Sequence, residues 1–233
     1  MRFAFSSIAA LMLVACGQSP QDQATSEPAP VKNEQPVAGP ERRILAFGDS
    51  LFAGYGVGKE NSYPAQLEAA LRADGINARI ANAGVSGDTS GAGLQRLAFT
   101  LDAQPTPPEL VILELGANDM LRGLSPDKTR ENLTAMLDEL AKRDIPVLLM
   151  GMRAPPNYGP DYQSSFDAIY GDLAKRDNVA LIPFWLESIY QRPELFQQDR
   201  LHPTVEGLGL LVEATKADVE KALPPAPDGD AAS

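Results

Sequence analysis

Five short apolar runs, at residues 43–47, 78–82, 110–115, 146–150 and 179–182, alternate with stretches of helical periodicity, and this alternation limits the fold more than any other feature of the chain. Each run is rich in Ile, Leu, Val or Ala and ends at a turn-forming residue, the pattern of a buried strand. The segments between and after them, 63–73, 89–102, 127–143, 162–175 and 205–222, carry apolar residues at the helical repeat. Start signals precede two of them, Ser125-Pro126 and Pro203-Thr204. Strands alternating with helices of this length pair in parallel through right-handed crossovers and need helices over both faces. The expectation is an α/β fold, a three-layer α/β/α sandwich around a five-stranded parallel sheet. In such sheets the ligand lies beyond the C-terminal ends of the strands, so the residues after each apolar run carry the functional information.

The 233 residues are 44% apolar and 22% charged, enough to build the core of one domain without disulfide or metal support. A formal net charge of −11 repels polyanions and argues against nucleic acid or anionic headgroups as electrostatic partners. Cys16 is the single cysteine and His202 the single histidine, which removes intrachain disulfides, thiolate zinc sites and multi-histidine metal sites. Any chemistry that needs an imidazole must use His202.

The ends read differently from the middle. Met1 and Arg2 are followed by an apolar run over residues 3–15, shorter than the roughly 20 residues that span a bilayer as a helix. Residues 1–15 are therefore expected to be a signal peptide. Leu13-Val14-Ala15-Cys16 resembles a bacterial lipobox, which implies lipidation of Cys16, a membrane anchor and a place in the bacterial cell envelope, facing the periplasm or the exterior. Residues 16–40, poor in large apolar groups and rich in Pro, Gln and Glu, read as a disordered tether. The domain is expected over residues 41–223, as a monomer, with a proline-led tail over 224–233.

Four loops after the runs carry polar chemistry. Gly48-Asp49-Ser50 follows the first, at a strand-to-helix transition that suits either a nucleophilic hydroxyl or an ordinary helix cap. Asn82-Ala83-Gly84-Val85-Ser86-Gly87-Asp88-Thr89 follows the second, a turn whose N–H groups can serve an oxyanion or a phosphate, or simply open a helix capped by Asp88 or Thr89. The spacing matches neither phosphate-loop pattern, and no lysine is near. Gly116-Ala117-Asn118-Asp119 follows the third, where Asn118 can donate to an oxyanion or Asn-Asp can start a helix. Before the last helix stands Asp199-Arg200-Leu201-His202-Pro203, in which the carboxylate can bend back to the imidazole.

Taken together, these blocks resemble the GDSL/SGNH hydrolase family in order and spacing, over residues 43–222. The resemblance implies a flavodoxin-like fold, a catalytic triad of Ser50, Asp199 and His202, and an oxyanion hole from the N–H groups of Ser50 and Gly87 and the amide of Asn118. Gly84 is close enough in sequence to supply the N–H in place of Gly87. Within the family, residues 86–90 and 114–123 are most similar to the bacterial thioesterase I, lysophospholipase L1 and arylesterase group, and the loop 152–159 resembles its substrate-side loop. The implied activity is hydrolysis of small-molecule esters or thioesters, such as aryl esters, acyl thioesters or lysophospholipids, through an acyl-enzyme and without metal or cofactor. The alternatives are a carbohydrate O-acetylesterase of the envelope or an inactive ligand-binding lipoprotein.

Overall fold

A computed structural model describes residues 36–226. The expected signal peptide, Cys16, most of the tether and the end of the tail lie outside the described residues. Within them the chain runs β1 (Arg42–Gly48), α1 (Ser50–Ala53), α2 (Tyr63–Ala73), β2 (Ala78–Gly84), α3 (Ser90–Asp102), β3 (Leu110–Glu114), α4 (Ala117–Leu121), α5 (Pro126–Lys142), β4 (Val147–Met150), α6 (Pro160–Leu173), β5 (Val179–Ile182) and α7 (Val205–Ala222). The five strands pair in parallel in the order β2-β1-β3-β4-β5. Packing of α2 on α7, and of α5 on both α3 and α6, divides the long helices between the two faces of the sheet.

The elements follow their sequence signals closely. Ser62, Thr89, Ser125 and Thr204 each cap a helix by accepting an N–H of its first turn, on α2, α3, α5 and α7 respectively. Burial departs from expectation in one respect. Every residue of β3 and β4 and the C-terminal five of β1 are buried, but β2 and β5 are the sheet edges and leave Arg79, Ala81, Asn82 and Ala180 exposed. A short run such as Ala78-Arg79-Ile80 carries no mark that tells an edge from a centre; strand order alone decides it.

The order reverses direction between β1 and β3. Chain leaving β1 turns toward β2, whereas chain leaving β3 turns toward β4, so a crevice opens between the loops that follow these two neighbours. The first loop is held from below by packing. Phe52 of α1 stacks on Tyr63 with ring centroids 5.4 Å apart and meets Trp185 edge-on at 5.3 Å, contacts worth about 0.5–1.5 kcal/mol each beyond their burial. From the β2 side, Gly84 presses against the same helix.

A Cβ at Gly84 would lie 2.4 Å from the backbone nitrogen of Ala53 and 2.8 Å from the carbonyl carbon of Phe52, so backbone would have to yield. Gly84→Ala is expected to destabilise the domain by about 1–3 kcal/mol. At roughly 2–4 °C per kcal/mol for a domain of this size, calorimetry should show Tm lower by about 2–12 °C.

Candidate active site

Ser50 is the first residue of α1, set immediately after β1 at the crevice. An N–H in the first turn of a helix has no carbonyl partner within its own helix, so this position offers a hydroxyl and a backbone donor together. Asp49 caps the helix, its Oδ1 accepting the Leu51 N–H at 3.0 Å. Of the two readings of Gly48-Asp49-Ser50, the capping role falls to Asp49, which leaves the Ser50 hydroxyl free of it.

The imidazole arrives from the other end of the chain on a tightly closed loop. The Gln197 N–H donates to the His202 carbonyl at 2.7 Å, Phe196 bridges Pro203 antiparallel, and the Thr204 N–H donates to Leu195 at 2.8 Å. Inside this loop Arg200 takes a left-handed φ of +59°, a conformation costing on the order of 1 kcal/mol that the surrounding bonds enforce. The turn brings Asp199 back on its own chain: Oδ1 accepts the N–H groups of Leu201 at 2.9 Å and His202 at 3.0 Å, and Oδ2 meets His202 Nδ1 at 2.7 Å. His202 Nε2 lies 2.8 Å from Ser50 Oγ. Partial burial pushes the Asp199 carboxyl up, but the N–H groups of His202 and Leu201 and the imidazole together outweigh it and bring the pKa down to about 2.

Two further contacts hold the loops in register. Gln197 Nε2 donates both to the Tyr55 carbonyl at 2.9 Å and to the Pro203 carbonyl at 3.0 Å, tying the Ser50 segment to the His202 segment. The Tyr55 ring lies against the imidazole with centroids 4.3 Å apart and planes tilted by 33°.

The two glycines after β2 are distinguished by their surroundings. Gly84 ends the strand, its N–H donating to Asn82 Oδ1 at 2.9 Å. Gly87 has a φ of +83°, lines the cleft beside Ser50, and has its carbonyl held by Arg122 Nη2 at 2.7 Å. Asn118, in the first turn of α4, also lines the cleft and donates through Nδ2 to Asp49 Oδ2 at 2.8 Å. Its neighbour Asp119 is fully buried and accepts the Ser90 N–H at 2.7 Å, the Ser90 hydroxyl and the Thr129 hydroxyl. The Ser90 hydroxyl is itself met by Asn132 at 2.9 Å. A fully satisfied buried network of this kind locks α4 to the first turns of α3 and α5, and with them the loops that carry Asn118 and Gly87.

All five sequence-selected residues, Ser50, Gly87, Asn118, Asp199 and His202, thus stand at one edge of the sheet, with Ser50, Gly87, Asn118 and His202 lining a single cleft of about 610 Å³. Met152, Arg153 and Pro155 of the loop 152–159 form part of its wall. Sequence reading passed over a second wall, built by Phe184, Leu186, Tyr190 and Phe196. Its only signal is apolar residues without strand or helix period between β5 and Asp199. It also passed over Gln197 and the inward face of Asp49, whose partners lie on other loops. No helix among the described residues is long and apolar enough to cross a membrane.

Residues 46–209 match the GDSL-like Lipase/Acylhydrolase family model. The chain is 40% identical to the arylesterase of Vibrio mimicus over 181 residues, covering 78% of this chain and 90% of that protein. It is 38% identical to the esterase TesA of Pseudomonas aeruginosa over 73% of this chain and 84% of that one. Among solved structures, the SGNH-hydrolase family esterase AlinE4 shares 61% identity with a TM-score of 0.68, over 80% of this chain and 99% of that one. Two solved variants of AlinE4 replace one serine and one aspartate by alanine, and these positions are as far apart along that chain as Ser50 and Asp199 are along this one. With fold, family model and relatives in agreement, the chain belongs to the GDSL-like lipase/acylhydrolase family, the SGNH type of ester-hydrolysing serine hydrolases.

Proposed function

We propose that Ser50, His202 and Asp199 act as the catalytic triad of a carboxylic ester and thioester hydrolase for apolar acyl groups, with the N–H groups of Ser50 and Gly87 and the amide of Asn118 as the oxyanion hole. The observation that carries this reading is the unbroken chain from Asp199 through His202 to Ser50 Oγ, which ends in a cleft walled mainly by apolar side chains.

In the proposed cycle His202 Nε2 takes the Ser50 proton as Oγ attacks the acyl carbon. Asp199 holds Nδ1–H and so fixes the tautomer that leaves Nε2 free. Charge on the carbonyl oxygen then develops toward the Ser50 and Gly87 N–H groups and the Asn118 N–H that Asp49 does not engage. Donors fixed in advance are each worth about 3–4 kcal/mol in the transition state. Collapse expels the alcohol or thiol with the proton from His202, and water activated by the same nitrogen releases the acid. The spacing match with the alanine variants of AlinE4 supports assigning Ser50 and Asp199 to this cycle.

Met120, Met152, Phe184, Leu186, Tyr190 and Phe196 supply the acyl-facing surface. Burial of each methylene stabilises by about 0.8 kcal/mol, roughly fourfold in kcat/KM per carbon until the groove is full. Hydrolysis of p-nitrophenyl esters from acetyl to palmitoyl should therefore rise from acetyl by about this factor per methylene. Ser50→Ala should lose at least about 10⁴-fold on every ester. Activity confined to acetyl would favour a deacetylase, and a folded Ser50→Ala protein with undiminished activity would remove Ser50 from the mechanism.

The charge state of Asp199 gives a second test. Its carboxyl has a folded pKa of about 2 against an ordinary 3.8, so it is anionic at all higher pH and its contribution fades only as pH falls from 3.8 through 2. A loss of kcat/KM setting in above pH 4 therefore does not come from protonation of Asp199. Asp199→Asn should lower kcat by about 10³–10⁴-fold, because an amide permits the wrong tautomer.

The proposal extends to location. A lipid on Cys16, following a cleaved segment 1–15, would place the enzyme in the cell envelope, and the sequence 16–40 would serve as tether. Cys16→Ala should move the full-length protein from the membrane to the soluble fraction of expressing cells.

A further inference from the structure

Beside Asn118 lies a pair of buried acids that the ester cycle leaves without a role, Asp49 at the cleft wall and Glu114 beneath it. Asp49, 1% exposed, uses one oxygen for the Leu51 N–H at 3.0 Å and the other for Asn118 Nδ2 at 2.8 Å. Its own N–H donates at 3.2 Å to Oε2 of Glu114, the last residue of β3, whose side chain is wholly buried. Glu114 Oε1 has no hydrogen-bond partner. Gly48 makes room for this carboxyl, since a Cβ there would stand 2.8 Å from Oε2.

We propose that Glu114 is a positioning residue of the oxyanion hole, seated as the neutral acid beneath Asp49 so that Asp49 holds the pair's single negative charge and fixes the Asn118 amide. The inference rests on reading Asn118 as an oxyanion donor.

Two adjacent carboxylates in a pocket without a cation do not both ionise. The division of donors decides which one keeps the proton. Asp49 is met by two N–H groups, whereas Glu114 receives one long bond and leaves an oxygen bare, so charge settles on Asp49. Burial, reinforced by the Asp49 charge, holds Glu114 well above the usual carboxylate range. The other titratable group facing it is Tyr170 of α6, whose hydroxyl donates to Leu115 at 3.0 Å and is itself pushed up by burial and by Glu114. Asp119 also pushes the Tyr170 hydroxyl up, and His202 acts on Asp49 from the cleft side.

The proton's location sets the direction of the amide. An ionised Asp49 only accepts, so it takes an N–H of Asn118 and leaves the second N–H for the cleft. Were Glu114 the anion, Asp49 would carry the proton and become a donor. The amide would then be drawn round to offer it oxygen, and the contact that fixes the second N–H toward a developing oxyanion would be gone.

The test compares Glu114→Leu and Glu114→Gln in the full-length protein. Glu114→Leu should lower kcat on a p-nitrophenyl ester by about 10- to 100-fold with KM within about twofold, the pattern of a lost transition-state contact. Glu114→Gln, which both donates to the Asp49 carboxylate and accepts its N–H, should recover kcat to within about threefold of wild type. The infrared difference between wild type and Glu114→Gln at neutral pH should contain the carbonyl band of one protonated carboxyl. A carboxylate band in its place overturns the proposal, as does a glutamine variant no better than leucine or a folded leucine variant with undiminished kcat. Should Glu114→Leu not fold, the infrared comparison decides alone. The infrared arm needs no substrate, so failure of the esterase reading would appear as an inactive wild type and leave the proton's position separately measured.

Discussion

Gly48 and Glu114 end neighbouring strands as register partners, in a contact so close that no side chain fits at residue 48. The site grows out of this contact. Because β1 and β3 are adjacent and their connections leave in opposite directions, the loops after them part directly above it, and Ser50 and Asn118 become the two lips of one crevice. Asp49 lies between them and is bonded to both sides, to the first turn of α1 through Leu51 and to α4 through Asn118. The distance between the Ser50 hydroxyl and the Asn118 amide is thereby set by two strand ends and one buried carboxylate rather than by a loop free to drift.

His202 must reach this crevice from a loop with no strand beneath it, and its placement is secured by bonds that are individually modest. A typical hydrogen bond contributes about 0.5–1.5 kcal/mol net. The loop therefore relies on several at once: its own closure by Gln197, the Gln197 side chain joined to the Tyr55 and Pro203 carbonyls, and the Thr204 cap that starts α7 directly after the turn. The left-handed Arg200 is the local cost of bending Asp199 back onto His202. Strain at this position, in a loop otherwise held by regular bonds, is consistent with a geometry selected for the imidazole rather than for the backbone.

How much of this was legible in the sequence depends on how local each determinant is. Helix and strand follow from spacing, and α2, β5 and α7 begin and end where the apolar pattern does. The residues that the fold brings together were legible as a set because three motifs fall directly after strands whose C-terminal ends must share an edge, and the fourth precedes the last helix. The different surroundings of Gly84 and Gly87 were not, since the close approach of Gly84 to Ala53 and the hold of Arg122 on the Gly87 carbonyl are contacts between segments. Edge strands, the wall from Phe184 to Phe196, and the acid pair Asp49 and Glu114 escaped for the same reason: each is defined by what the fold sets beside it. Glu114 in particular reads as one polar residue interrupting an apolar run. Only its burial against a second acid makes it a question of where a proton sits.

The cleft is lined by two kinds of surface, and this bears on selectivity. Around Ser50 and His202 the polar groups are oriented by hydrogen bonds, and a group that fails to match would leave polar atoms unpaired. The methionine and aromatic side chains of the lining offer apolar surface, and the long, unbranched thioether chains of Met120 and Met152 can repack around ligands of different shape. A wall of that composition distinguishes one methylene from none by only about 1–3 kcal/mol, far less than the 10⁴-fold rejection that a hydrogen-bonding pocket achieves. Surfaces of these two kinds discriminate differently, because a polar group is recognised by direction and an apolar one by area.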